Sequence, residues 1–267
     1  MSFVVAIDGP AGTGKGTVTK ILSKKFNLES VDTGAMYRCV TLQIIKENVE
    51  LENLEKIQEI LNTIKIEFEK KENREEIYLN GENVTTQIRE KPVNDLVSTV
   101  ARIKEVKIAM AELQRKAAVG KNVIMEGRDM TTRVFPNADV KIYLDANEKI
   151  RAERRYKQDQ ESGKNTTYEE ALKNVRLRDE LDKSNPVGGL KIAEDAVIVD
   201  SSYLTIDEVV EKISEIIRSK LNDYVPDHSR TLVAGNERHQ ESEDGQDVLH
   251  TDHRRCKNTE ISVYLQR

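Results

Sequence analysis

The chain has 267 residues, with 42 lysines and arginines against 47 aspartates and glutamates, for a formal net charge of −5. That length suits one large α/β domain or two small ones around a sizeable core. The acidic balance excludes the basic footprint of a nucleic-acid binder, and no apolar run approaches the ~20 residues of a membrane span. The opening run Phe3–Ile7 stops at Asp8, too short for a signal-peptide core. The two cysteines, Cys39 and Cys256, lie far apart and make no disulfide framework. The expectation is a soluble, cytoplasmic globular protein with neither nucleic-acid nor membrane partners.

Taken in chain order, Phe3–Ile7 is an apolar run of buried-strand length. It leads into Gly9, Pro10, Ala11, Gly12, Thr13, Gly14, Lys15, Gly16 and Thr17, and then into a helical pattern carried by Val18, Ile21, Leu22 and Phe26. Strand, glycine-rich loop and helix form the context that a Walker A phosphate loop requires. Its backbone N–H groups cradle phosphate oxygens, the helix N-terminus adds its dipole, and Lys15 brings a mobile positive charge to the β- and γ-phosphates. The pattern departs from the common form in that Gly16 follows the lysine and Thr17 takes the hydroxyl position. The bland alternative is a glycine-rich turn without a ligand, which the paired Gly14-Lys15 in this context argues against.

The run Leu28–Val31 follows, and then Asp32 to Arg38, where Thr33, Gly34 and Arg38 make a second candidate anion site. On local grounds this stretch reads equally well as a helix start with a solvated arginine. Ile64–Phe68 and Glu76–Leu79 alternate apolar and polar residues around a turn, with Asn80-Gly81 after them, and predict a small antiparallel insert. Asn122–Met125 ends in Glu126, Gly127, Arg128 and Asp129, charged groups just past a strand's carboxyl end, where ligands of open α/β sheets bind. Glu126 is thereby a candidate to hold Mg²⁺ through water. Val140–Leu144 and Ala196–Val199 are further strands. Arg151, Arg154 and Arg155 share a helical face. The polar segment Asp159–Thr167 separates them from a second helix with Arg176, Arg178 and Asp182. These residues read either as ordinary surface pairs or as a mobile lid carrying arginines over a transferring phosphoryl group. Ile206, Val209, Val210, Ile213 and Ile217 predict a closing amphipathic helix. Strand–helix alternation of this kind predicts a doubly wound parallel sheet with helices on both faces. Residues 225–267 hold all four histidines and no sustained apolar period, and are expected to be a disordered tail in which only Ile261–Leu265 has strand character. The spacing of His250, His253 and Cys256 offers no fourth ligand for a closed metal site.

Together these motifs resemble the bacterial cytidylate kinases, members of the nucleoside monophosphate kinase family of P-loop proteins. The matching stretches are 7–17, 32–38, 126–130 with 135–146, 151–155, and 178–182 with 193–202; the resemblance runs from Met1 to about Leu221. It implies one kinase domain over 1–224, with a monophosphate-binding insert at about 64–100 and a helical lid at about 151–185. Gly9 to Thr17 are implied to bind ATP. Thr33, Arg38, Ser98, Lys107, Arg128, Asp129, Arg178 and Asp182 are implied to line a CMP site, with Arg38, Arg128 and Arg178 on the monophosphate and Asp182 on the ribose. Three positions depart from the family pattern. Lys107 and Asn185 stand where arginines are usual, and Thr131 where glycine is; Arg102, one turn after Ser98, is a candidate to compensate for Lys107. A lysine lacks arginine's bidentate fork and an asparagine lacks its charge.

The reaction so implied is ATP plus CMP or dCMP to ADP plus CDP or dCDP. Lys15, Arg128, Arg154 and Arg155 are the catalytic candidates, Thr17 and Glu126 the Mg²⁺ candidates, and the protein is expected to act as a monomer. Two other functions stay open at this level: a kinase for UMP, AMP or another small molecule on the same scaffold, and a P-loop nucleotide sensor without turnover.

Overall fold

The computed structural model describes residues 2–71, 75–224 and 262–266. The central sheet consists of β1 (Val4–Asp8), β2 (Glu29–Val31), β6 (Val123–Gly127), β7 (Val140–Asp145) and β8 (Val197–Asp200), in the order β2-β6-β1-β7-β8. All four pairings are parallel. The β1 run is apolar because it is buried on both faces. Ala6 points into a core built with α2 (Thr33–Lys46), α3 (Leu54–Thr63) and α5 (Lys104–Ala118). Val5 and Ile7 point into the opposite core, with α1 (Lys15–Lys25) and α8 (Ile206–Tyr224). The doubly wound arrangement expected from the alternation of elements is therefore present. Because β1 lies in the middle of the order, the loop that leaves it emerges where strands diverge to either side, the ligand-binding edge of such sheets.

The insert sheet combines β3 (Lys65–Lys70), β4 (Glu75–Leu79) and β5 (Glu82–Asn83), paired antiparallel as expected. It also carries a strand from the end of the chain, β9 (Ser262–Gln266), parallel to β3. The purely antiparallel reading is corrected to a mixed sheet, and the tail's strand falls on the stretch given strand character, one residue on from Ile261–Leu265. The cause is edge chemistry: β3 has a free row of N–H and C=O groups opposite β4, and an alternating segment satisfies them. The remaining expectations for the tail, including His250, His253 and Cys256, lie outside the described residues.

A 3₁₀ turn (Gln87–Arg89) and α4 (Lys91–Val100) lead from the insert to α5. The segment expected to be a lid is the antiparallel pair α6 (Glu148–Glu161) and α7 (Tyr168–Lys183). Thr167 and Glu170 start α7 with a reciprocal capping box. Among the described residues no helix is long and apolar enough to cross a membrane.

Candidate active site

The phosphate loop bends through conformations that glycine alone adopts without strain. Gly12 and Gly14 have φ of +81° and +92°, and a Cβ on Gly9 would stand 2.0 Å from the Leu144 carbonyl oxygen. Lys15, the first residue of α1, folds back over the loop. Its Nζ donates to Pro10 O at 2.7 Å and lies 3.4 Å from Thr13 Oγ1, whose hydroxyl also donates to Pro10 O. Burial, and then the neighbouring Arg128 charge, pull the Lys15 ammonium down to about 7, against the opposing pull of Glu126, Asp8 and Asp182. The lysine is held where a negative ligand would restore its charge.

Across from the loop is a cavity of about 200 Å³. All eight residues expected in the acceptor site line it: Thr33, Arg38, Ser98, Lys107, Arg128, Asp129, Arg178 and Asp182. They come from five segments of the chain, and different contacts set each one. Asp32 caps α2 through Ala35 N–H, which leaves the Thr33 hydroxyl to donate to Glu126 O at 2.7 Å. Arg38 donates to Ile88 O and to Asn94 Oδ1, at 3.2 and 2.5 Å. Arg128 Nε meets Asp182 Oδ2 at 2.5 Å. Burial works against the Arg128 charge, but Asp182 and then Glu126 and Asp8 outweigh it and hold its pKa above the ordinary arginine value. Arg178 has no hydrogen bond or ion pair to the described residues. Protein crowding around it and the charge of Arg128 pull it down to about 10, although its surface is open to the cavity. Three guanidinium groups thus converge where, among the described residues, only one carboxylate, Asp182, pairs with any of them, an arrangement that favours an incoming dianion.

The far end of the cavity is built around Asp129, which is 3% exposed. Its Oδ2 lies 2.8 Å from Lys107 Nζ and 3.5 Å from Arg133 NH1. Neither approach has hydrogen-bond geometry, and the oxygen is left without a hydrogen-bond partner among the described residues. Lys107 instead donates to Gly188 O at 3.1 Å. Tyr37 also lines this end. Its burial, followed by the nearby Asp129 charge, holds the phenol protonated well above the ordinary tyrosine range. The turn carrying Arg128 and Asp129 is tied to the phosphate loop by Asp8, which accepts from Met130 N–H, Thr131 N–H and the Thr131 hydroxyl at 2.9, 2.7 and 2.6 Å. Burial raises the Asp8 pKa against the pull of those bonds. The threonine at 131 is therefore accounted for: its hydroxyl adds a third donor to a buried carboxylate.

The structure separates the lid arginines that helical spacing grouped together. Arg151 is buried and runs from Ala11 O in the phosphate loop to Asp179. Arg154 donates to Ser201 O at 2.6 Å, and Ser201 in turn donates to Thr13 O. It braces the loop after β8 and is not among the residues that line the cavity. Arg155 is exposed, 3.4 Å from Asp159, and its charge is felt at Arg38 and Arg178. Arg102 also leaves the role suggested for it. It lines the cavity but donates to Leu181 O and Ser184 Oγ, not toward Lys107. Asn185 donates to Ala101 O. Gly188, Tyr37 and Arg133 are site residues that sequence reasoning missed; the Gly188-Gly189 pair was the one available signal, marking a tight turn after a helix.

The residues near the loop suit a hard divalent cation. A Cβ on Gly16 would stand 3.7 Å from Glu126 Oε1, so that carboxylate faces the start of α1, where the Thr17 side chain is exposed. A hydroxyl and a carboxylate beside a phosphate loop are the oxygen donors that Mg²⁺ takes alongside substrate phosphates.

A family model described as cytidylate kinase matches residues 5–219. The cytidylate kinase of Fusobacterium nucleatum subsp. nucleatum is 44% identical over 216 residues, covering 81% of this chain and 97% of that one. Its counterpart from Limosilactobacillus reuteri (strain DSM 20016) is 45% identical over 215 residues, covering 80% and 94%. The cytidylate kinase of Caldanaerobacter subterraneus subsp. tengcongensis is 42% identical over 218 residues, covering 82% and 96%. With a phosphate loop facing an arginine-lined cavity, and a match of this extent, the chain belongs to the cytidylate kinase family.

Proposed function

We propose that the protein transfers the γ-phosphoryl group of ATP to CMP and dCMP, giving ADP with CDP or dCDP. The observation that carries this reading is the convergence of Arg38, Arg128 and Arg178 on one cavity, with the buried Asp129 at its other end and the loop lysine within electrostatic reach of Arg128. A monophosphate at the arginines would bring its ribose to Asp182 and its base to Asp129. Gly9 to Thr17 would hold the triphosphate. The acceptor oxygen is already ionised at neutral pH, so the transfer needs no general base. Catalysis then rests on alignment and charge neutralisation by Lys15, Arg128 and Arg155. Arg154, bonded to Ser201, supports the loop that contacts Thr13. Thr17 and Glu126 would hold Mg²⁺, which supplies charge neutralisation at the ATP phosphates when bound. One chain provides both half-sites, in keeping with a monomeric enzyme.

Incubation with ATP, Mg²⁺ and each nucleoside monophosphate, resolved by thin-layer chromatography, tests the reading. CDP and dCDP are the expected products. ATP binding with no phosphorylated product from any monophosphate would leave a nucleotide sensor instead.

A further inference from the structure

We propose that Arg102 is a positioning residue for the acceptor nucleotide, holding the last turn of α7 against the corner between α4 and α5 so that Arg178 and Asp182 are already turned toward the cavity. The proposal rests on the reading that this cavity takes a nucleoside monophosphate.

Arg102 NH1 donates to Leu181 O at 2.9 Å and to Ser184 Oγ at 3.1 Å. Leu181 O belongs to the final turn of α7, where helix carbonyls lack partners along the helix and attract positive charge. Ser184 is the cap residue of the same helix. Two further bonds continue the seam: Asn185 Nδ2 donates to Ala101 O at 3.2 Å, and Lys107 Nζ to Gly188 O at 3.1 Å. Residues 101–107 are thereby laced to residues 181–188 along one wall of the cavity, since Ala101, Arg102, Leu181, Asn185 and Gly188 all line it. Among the described residues Arg102 has no carboxylate in ion-pair range. Its charge is thus spent on the helix end, and Asp182 remains with Arg128.

The helix held in this way serves both half-sites. Asp179 anchors it to Arg151 and the phosphate loop, whereas Arg178 and Asp182 face the acceptor. Cutting the Arg102 contacts would leave the donor-side anchor in place and free only the acceptor side. A defect confined to one substrate is the consequence.

The test is steady-state kinetics of Arg102→Ala, Arg102→Lys and Asn185→Ala on the full chain, with thermal unfolding of each. Arg102→Ala is expected to raise KM for CMP about tenfold, as for loss of one charge-assisted hydrogen bond. KM for ATP should stay within about twofold, as for a distant site. Arg102→Lys, which keeps one charged donor for Leu181 O, should recover most of the loss. Asn185→Ala, on the same seam, should shift KM for CMP in the same direction by less, and it carries the test if Arg102→Ala does not fold. An unchanged KM for CMP in Arg102→Ala, or in Asn185→Ala where that variant carries the test, overturns the proposal while wild-type turnover of CMP leaves the cavity reading intact. Equal rises in both KM values with a lowered melting temperature also overturn it, because general loosening would then explain the effect. A wild-type protein that fails to phosphorylate CMP would defeat the cavity reading itself.

Discussion

Arg151 and Asp179 meet in a two-pronged ion pair, NH1 to Oδ1 at 2.9 Å and NH2 to Oδ2 at 2.6 Å, while the same guanidinium donates to Ala11 O in the phosphate loop and to Ala146 O at the end of β7. The side chains are 5% and 15% exposed. One arginine therefore fastens α6 and α7 to the loop, and Gly12 passes so close that a Cβ would stand 3.2 Å from Arg151 Cβ. Asp179→Asn keeps the shape but leaves a buried guanidinium short of its counter-charge. It is expected to cost about 3 kcal/mol of stability, the lower end for breaking a buried pair, and to raise KM for ATP more than KM for CMP. Urea unfolding and steady-state kinetics check both halves, and an unchanged unfolding midpoint would mean that the pair is ornamental.

The suppressed ammonium of Lys15 leads to a pH prediction. The unfolded chain keeps this proton to about the ordinary lysine value of 10.5, whereas the folded loop releases it near 7. The unfolded state binds more protons across that window, so the contribution of this group to stability improves as pH rises through it. A bound triphosphate restores the charge. ATP binding at pH 8 should accordingly take up about one proton, seen by calorimetry in buffers of different ionisation enthalpy. Lys15→Ala should fold, bind without that uptake, and lose about 10²–10³-fold in kcat, the usual effect of removing one transition-state contact. Retention of kcat within about tenfold would remove the loop from the chemistry.

Asp129 determines the expected base preference. Cytosine offers an amino donor at position 4 where uracil offers a carbonyl acceptor. The Asp129 carboxylate, on the cavity wall, can accept from the former and repels the latter. Lys107, buried beside it, and Ser98 can donate to the ring acceptors. CMP and dCMP are expected well ahead of UMP in kcat/KM, by less than the ~10⁴ that a fully hydrogen-bonded site can reach, because Lys107 offers a single point charge. AMP should be inactive. Asp129→Asn should narrow the gap between CMP and UMP, since an amide presents either polarity. Equal kcat/KM for CMP and UMP in the wild type would overturn this assignment of the cavity's far end.

Removal of residues 262–267 tests the added strand. It strips β3 of its parallel neighbour while leaving every cavity-lining residue in place. A stability loss of about 1 kcal/mol corresponds to a fall of a few degrees in melting temperature for a chain of this size, and kcat should be unaffected. An unchanged melting temperature would show that β9 contributes nothing to the insert.

The phosphate loop was legible because everything that makes it is local. Glycines at 9, 12 and 14, a lysine at 15 and flanking apolar periods restrict the backbone within a dozen residues, and elementary sterics do the rest. The parallel sheet was legible for a similar reason, since runs such as Val4–Ile7 have to be buried on both faces. Local motifs flagged several residues of the candidate acceptor site, but only resemblance joined them into one site. Its residues span 33 to 182, and no local rule brings Arg38, Arg128 and Arg178 to one cavity. Arg151 and Arg154, three apart on one helix, look alike in sequence. Their ends were decided by partners far along the chain, Asp179 on α7 and Ser201 after β8. Arg102 and Asn185 likewise acquired partners about eighty residues away. Dihedral limits and hydrophobic period determine the local elements, but which charged side chain meets which is settled only when those elements pack. Packing also leaves Asp129 Oδ2 without a hydrogen bond among the described residues, and a free edge on β3 for the last strand.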